Sequence, residues 1–286
     1  MGKKKGFKTS DLDAVNAYRG CEIRPGGKLD KIPLNASASA TSLWSRYVSA
    51  RKPVAFAYHP QDEEWRATRR WTDEYLIKQA GEARLKVEQR GSEAESFGQG
   101  RKVDMPFRDL VQRASRGDGS CYLTTQEVKI QETGLPALHA QPVSSLIGDV
   151  PLRPAMLRHL VPHQLNIWMG AAADGASSGL HHDFHDNLYV LLRGRKHFRL
   201  YSPGLAPRMY THGRIAQIHA NGLIAYRGQP EVRSDGAQRS LAQAWEQKVA
   251  AEAELAAAEQ QATHGGETAA EAAAQAERRL EEALDR

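Results

Sequence analysis

Residues 180–203 read LHHDFHDNLYVLLRGRKHFRLYSP. Two runs rich in apolar residues, 187–192 and 196–201, flank the turn Arg193-Gly194-Arg195, and Pro203 stops the second run. Paired runs with a Gly-centred reversal between them predict a β-hairpin. The segment 180–183 reads as one more extended stretch. It follows a Gly/Ala/Ser loop, which in turn follows the strand-like run 165–170 ending in Gly170. In a strand, side chains two apart share a face. His181 and Asp183 therefore point one way and His182 the other, while His185-Asp186 form the bend before the next strand.

The segment before this region is helical. Residues 42–48 carry Leu43, Trp44 and Tyr47 at helical spacing, and Lys52-Pro53 ends that helix ahead of a strand over 54–58. Thr72 is the expected N-cap of a second helix, with Gly81 near its end. A short alternating strand covers 85–88, Pro106 opens a third helix over 107–114, and 121–123 is a further strand. Helices first and then successive strands with Gly/Pro turns give an α+β class, mainly β, as an antiparallel barrel or double sheet with helices packed outside. Residues 1–40 read as a flexible basic and polar arm, 41–238 as the body, and 239–286 as an Ala/Glu-rich helical segment. Leu241, Trp245 and Val249 step by four there, as do Ala272, Ala276, Leu280 and Leu284. Gly265-Gly266 divides the two stretches into a broken helix or a helical hairpin. A thin Trp/Leu stripe of this kind can pack on the body or on a helical partner, and it equally fits a mobile, solvated helix.

The chain has 286 residues, 41% hydrophobic and 26% charged, enough for one sizeable core plus an appendage. No run of eighteen apolar residues occurs, so no membrane span is expected, and the basic start has no apolar stretch behind it to make a signal peptide. A soluble intracellular protein, cytoplasmic or nuclear, is the expectation. Cys21 and Cys121 are read as ordinary thiols of a reducing compartment. The net charge of +5 is uneven: from Arg239 onward there are five basic and ten acidic residues, leaving 34 basic against 24 acidic in the rest. No basic run is interleaved with aromatics, so no specific nucleic-acid partner is expected.

One imidazole and one carboxylate side by side, with a second imidazole from elsewhere, make the facial triad that holds Fe(II) in non-haem oxygenases. A His-x-Asp alone is a weak signal among eleven histidines. The surroundings carry more. Asn166-Ile-Trp-Met-Gly, the loop ending Ser177-Ser178-Gly179, and the unbroken stretch 180–203 place an Asn six residues past the His, Gly-Arg-Lys at the next turn, and Arg-Leu-Tyr-Ser-Pro on the return strand. In type and spacing this resembles the core of the Jumonji-C (JmjC, cupin-like) oxygenases. Weaker pieces upstream, Tyr47-Val48, Lys52-Pro53-Val54, Trp71-Thr72-Asp73 and Tyr122-Leu123, fall in that family's order, so the resemblance covers roughly residues 41 to 228.

The resemblance implies a double-stranded β-helix core of the jelly-roll or cupin kind, with flanking helices at its start and a helical extension at its end. It implies that His181 and Asp183 are iron ligands. Lys196 is implied to hold the distal carboxylate of 2-oxoglutarate, with Ser178 and Tyr122 as hydroxyl donors to it and Asn187 lining the co-substrate pocket. A buried dianion needs a cation and hydroxyl donors to offset its desolvation. The implied activity is Fe(II)- and 2-oxoglutarate-dependent hydroxylation of a protein side chain, or demethylation where an N-methyl carbon is oxidised, with a protein or peptide as substrate. The third ligand of the family comes from a later strand near a Pro-Gly-Asp turn, and this chain has no such motif. Three expectations follow. The chain ends inside a helical insertion before closing strands, leaving a barrel with an open side; or His219 or His264 is recruited; or catalysis has given way to a binding role.

Overall fold

Alternating burial along two long strands organises the larger part of the protein. The computed structural model describes residues 16–23, 26–33, 39–57, 65–91, 100–132, 134–172, 176–262 and 267–284. Strand β3 (Arg84–Gln89) pairs antiparallel with β4 (Arg101–Pro106) on one side and with β5 (Cys121–Leu123) on the other, and β5 pairs with the short β6 (Met169–Gly170). The sheet order is β4-β3-β5-β6. Leu85, Val87, Met105, Cys121 and Leu123 point to one face and are buried there. That face packs on α3 (Asp73–Ala80), through Leu76 and Ala80, and on α4 (Phe107–Ser115), through Phe107, Leu110 and Val111. Glu88 and Tyr122, directly opposite each other across β3 and β5, belong to the other face.

The helices begin where the sequence places their signals. Thr72 accepts a hydrogen bond from the Tyr75 amide at 3.2 Å and caps α3. Pro106, with φ −64° and ψ 142°, sets the chain into α4. The first helix runs α1 (Ala40–Leu43) and then widens into a π turn over Trp44–Val48. The short α2 (Ala67–Arg70) and α3 are tied to a distant segment by one buried carboxylate. Asp149 accepts from Arg70 at 3.2 Å, from the Trp71 indole at 3.1 Å and from the Tyr75 hydroxyl at 2.7 Å. It lies next to α5 (Val143–Leu146), whose Leu146 joins the core. The parallel pair β1 (Asp30–Ile32) and β2 (Val54–Phe56) is fastened by Asp30, which accepts from Lys52 at 2.6 Å and from the Tyr47 hydroxyl at 3.3 Å.

Two compact units result. One comprises the described residues within Arg24–His182 and Leu188–Arg199, the other those within Met1–Ile23, Asp183–Asn187 and Leu200–Arg286. In the second, β7 (Ile215–Ile218) and β8 (Ile224–Tyr226) form a hairpin. Asn16–Arg19 runs alongside it, with the Ala17 and Arg19 amides donating to Ile218 and Ala220 at 2.9 and 3.0 Å. Tyr18, Ala206, Ile218 and Ile224 make its core. The last two helices, α6 (Arg239–Ala262) and α7 (Glu267–Leu284), pack as the helical hairpin the sequence allowed, with Ala251 and Ala276 buried and Arg279 bonded to Glu254 at 3.0 Å. Gly265-Gly266 lie outside the described residues. Among the described residues no helix is long and apolar enough to cross a membrane.

The structure departs from the mainly-β barrel expected from the sequence: helix outweighs strand among the described residues, and the strand-like run 165–170 is strand only over Met169–Gly170. The described residues form a four-stranded sheet and two two-stranded ones rather than a closed double-stranded β-helix. The segments 180–183, 187–192 and 196–201, read as strands, form no β-ladder with other described residues. A strand is defined by its ladder, and among the described residues none lies beside them to complete one. Their turn is retained: Gly194 adopts φ +88°, a conformation that side-chain-bearing residues rarely take, and Arg193 anchors the reversal by a 2.6 Å bond to Asp73.

Candidate functional site

Tyr122 is the residue of the site that the sheet fixes most firmly. Its ring lies over Gly170, its partner across β5 and β6. A Cβ built on Gly170 would sit 2.7 Å from the tyrosine Cδ2 and 2.9 Å from the Cys121 carbonyl, so only glycine admits the ring at this approach. Trp168 flanks it, with ring centres 6.3 Å apart. Burial pushes the Tyr122 phenol up to about 12, and the neighbouring Tyr189 and Glu88 oppose its ionisation further. The hydroxyl therefore stays protonated, and a donor, throughout the neutral range.

Lys196 lies in the same unit, exposed, with its Nζ 6.0 Å from the centre of the Tyr189 ring and 5.9 Å from that of Phe198. The two rings meet edge to face at 5.1 Å. Burial raises the Tyr189 phenol as well. Ser178 is exposed in the loop ahead of His181, and its neighbour Ser177 accepts from the Gly179 amide at 3.1 Å.

His181 Nδ1 is 3.0 Å from the Gly179 carbonyl oxygen. A carbonyl only accepts, so a hydrogen bond here has Nδ1–H as its donor, which makes Nε2 the nitrogen suited to coordinate a metal. Metal-binding imidazoles commonly show this arrangement, in which one nitrogen donates to the protein and the other coordinates. His181 and Asp183 are exposed and His182 is half-buried, so exposure alternates as expected although no ladder is present. In the other unit, Asp183 Oδ2 accepts from Asn187 Nδ2 at 2.7 Å. Asn187, expected to line a co-substrate pocket, thus contacts the carboxylate ligand candidate and orients it. His185 packs its ring against Gly236.

Two sets of candidates are therefore brought together: Tyr122 and Lys196 through Tyr189, and Asp183 with Asn187. His219 is buried at the end of β7, and its Nε2 has no hydrogen-bond partner. His264 lies outside the described residues. Among the described residues no group of three His, Cys, Asp or Glu side chains is gathered as a metal ion requires. Tested against a three-ligand iron centre, the donor types of His181 and Asp183 fit, and the count stops at two. The sequence reading missed Tyr189, Phe198 and Glu88. Tyr189 had a signal, since it stands two residues past Asn187 and shares the hairpin with Lys196. Glu88 had one in the alternation of β3, which sets it on the face opposite Leu85 and Val87.

Comparison with known proteins bears on this geometry. The model of the family described as "Cupin-like domain" matches residues 40–262. The chain is 31% identical over 237 residues to JmjC domain-containing protein 4 of Schizosaccharomyces pombe, covering 79% of this chain and 50% of that protein. It is 26% identical over 154 residues to the human bifunctional peptidase and (3S)-lysyl hydroxylase JMJD7, covering 51% of this chain and 46% of that protein. The chain spans about half the length of these curated relatives.

Proposed function

The chain belongs to the cupin-like, JmjC-type family, and from that premise we propose that it is an Fe(II)- and 2-oxoglutarate-dependent oxygenase domain acting on a protein side chain, built on a double-stranded β-helix core. The observation that carries the reading is the Lys196 ammonium against the Tyr189 ring, in the unit that also holds the protonated Tyr122 and a His181 whose Nδ1 faces the Gly179 carbonyl. Iron and 2-oxoglutarate, when bound, supply the oxidising chemistry that hydroxylates a C–H bond, or removes an N-methyl group.

The chain's own residues would bind and orient. Lys196 offsets the charge of the distal carboxylate, and the Tyr122 and Ser178 hydroxyls donate to it. His181 and Asp183 offer an imidazole nitrogen and a carboxylate oxygen, and Asn187 holds that carboxylate in one orientation. The described residues offer two candidate ligands where a facial triad needs three. A protein side chain as substrate is supported by the lysyl hydroxylase named among the relatives.

A second reading, a binding module without catalysis, is favoured by that same count of two and by the exposed stripe Leu241, Trp245 and Val249 on α6, which suits a helical partner. Succinate formation from 2-oxoglutarate in the presence of Fe(II) separates the two. The oxygenase reading expects slow uncoupled turnover by the full chain and a loss of at least tenfold in the His181→Ala variant. Turnover indistinguishable from that of free Fe(II) would favour the binding module.

A further inference from the structure

An ammonium on a four-carbon stem has no fixed position of its own, so a lysine that is to meet a carboxylate needs something to hold it. Around Lys196 the holding groups are aromatic. Its Nζ stands about equally far from the Tyr189 and Phe198 ring centres, 6.0 and 5.9 Å, at the reach of cation–π attraction. The rings meet edge to face at an interplanar angle of 72°. Tyr189 has a second neighbour in Tyr122, near enough that charge on Tyr189 opposes ionisation of Tyr122; partial burial raises both phenols, although Tyr189 stays 45% exposed. One cation and two neutral O–H donors thus belong to the same unit.

We propose that Tyr189 is a further residue of the dicarboxylate site, its ring face holding the Lys196 ammonium and its hydroxyl joining that of Tyr122 as donor to the bound carboxylate. The chemistry of the group selects the ligand class. A carboxylate presents lone pairs enough for an ammonium and two hydroxyls, and O–H···O⁻ bonds are short and strong. A neutral ligand would leave the cation unanswered. The inference rests on the assignment of Lys196 to the distal carboxylate of 2-oxoglutarate, and it adds to that assignment the residue that positions the lysine.

The test uses the full chain without metal, with 2-oxoglutarate and succinate as probes in ligand-observed NMR, which reads weak affinities. Lys196→Gln is expected to weaken both probes at least tenfold. Tyr189→Phe keeps the ring and removes one charge-assisted hydrogen bond, so a loss of about tenfold is expected. Tyr189→Leu removes the ring too and is expected to weaken binding further. Independently of any ligand, the Lys196 ε-methylene resonance should be shifted upfield by ring current in the wild type and in Tyr189→Phe, and should return towards its ordinary position in Tyr189→Leu. Wild-type affinity in Tyr189→Phe overturns the role of the hydroxyl. An unshifted ε-methylene in the wild type overturns the aromatic hold. If Lys196→Gln binds both probes as the wild type does, or the wild type binds neither, the dicarboxylate reading itself fails, and the methylene shift still decides the hold on its own.

Discussion

A phenol held protonated to about 12 is the clearest residue-scale mark of the candidate site. Because the folded value of Tyr122 stands above the ordinary 10.0, its contribution to stability is fully present below about pH 10 and is lost as pH rises through about 12. Tyrosinate absorbance of the wild type minus that of Tyr122→Phe should show one phenol titrating near the upper value. In the same window the urea midpoint should fall more steeply for the wild type than for the variant. A difference curve centred at 10.0 would mean that Tyr122 is solvated as an ordinary tyrosine. At this scale the sequence was informative about residue types and their spacing: His181, Asp183, Ser178, Asn187, Lys196 and Tyr122 were all nameable. It was silent on what they touch. That Asn187 bonds Asp183, and that Lys196 stands against the Tyr189 and Phe198 rings, depends on how the chain turns between 183 and 198, and neither periodicity nor motif encodes that.

At the scale of elements, Asp149 is the tie that sequence reading passed over, because a lone Asp between apolar residues looks like loop polarity. It is 3% exposed and accepts three hydrogen bonds from α2, α3 and the Trp71 between them. Asp149→Ala would leave the Trp71 indole and the Tyr75 hydroxyl unpaired, and a loss of about 3 kcal/mol in urea unfolding is expected. A loss under about 0.5 kcal/mol would show that the two helices hold without it. Gly170→Ala forces a Cβ into the Tyr122 ring and the Cys121 carbonyl. It should cost about 1–3 kcal/mol and bring the Tyr122 titration down towards 10.0, as the ring is pushed from its place. An unchanged titration would show that Gly170 does not position the ring. The elements most legible in the sequence were those with local signals, such as Thr72 and Pro106 at helix starts and Gly194 in its turn. The strands over 180–201 were read from composition, but a ladder needs a neighbour, and composition does not show whether one is present.

For the molecule as a whole, the family and the mixed helix-and-sheet fold stand on the match to residues 40–262, and the sheet unit supplies most of the candidate site. The α6–α7 hairpin contributes an exposed stripe whose Trp245 meets Lys248 at 5.2 Å from its ring centre. Since Trp245 is 44% exposed, Trp245→Ala should shift thermal stability by no more than about 0.5 kcal/mol, read by circular dichroism; a larger loss would mean that the stripe is covered in solution. The proposed role of His181 and Asp183 is that they would hold iron, with Lys196 holding 2-oxoglutarate. The most direct measurement is the visible absorption of the full chain after anaerobic addition of Fe(II) and 2-oxoglutarate. A metal-to-ligand charge-transfer band that vanishes in His181→Ala and in Asp183→Ala is the expected result. No band in the wild type, or one that both variants retain, would contradict the account.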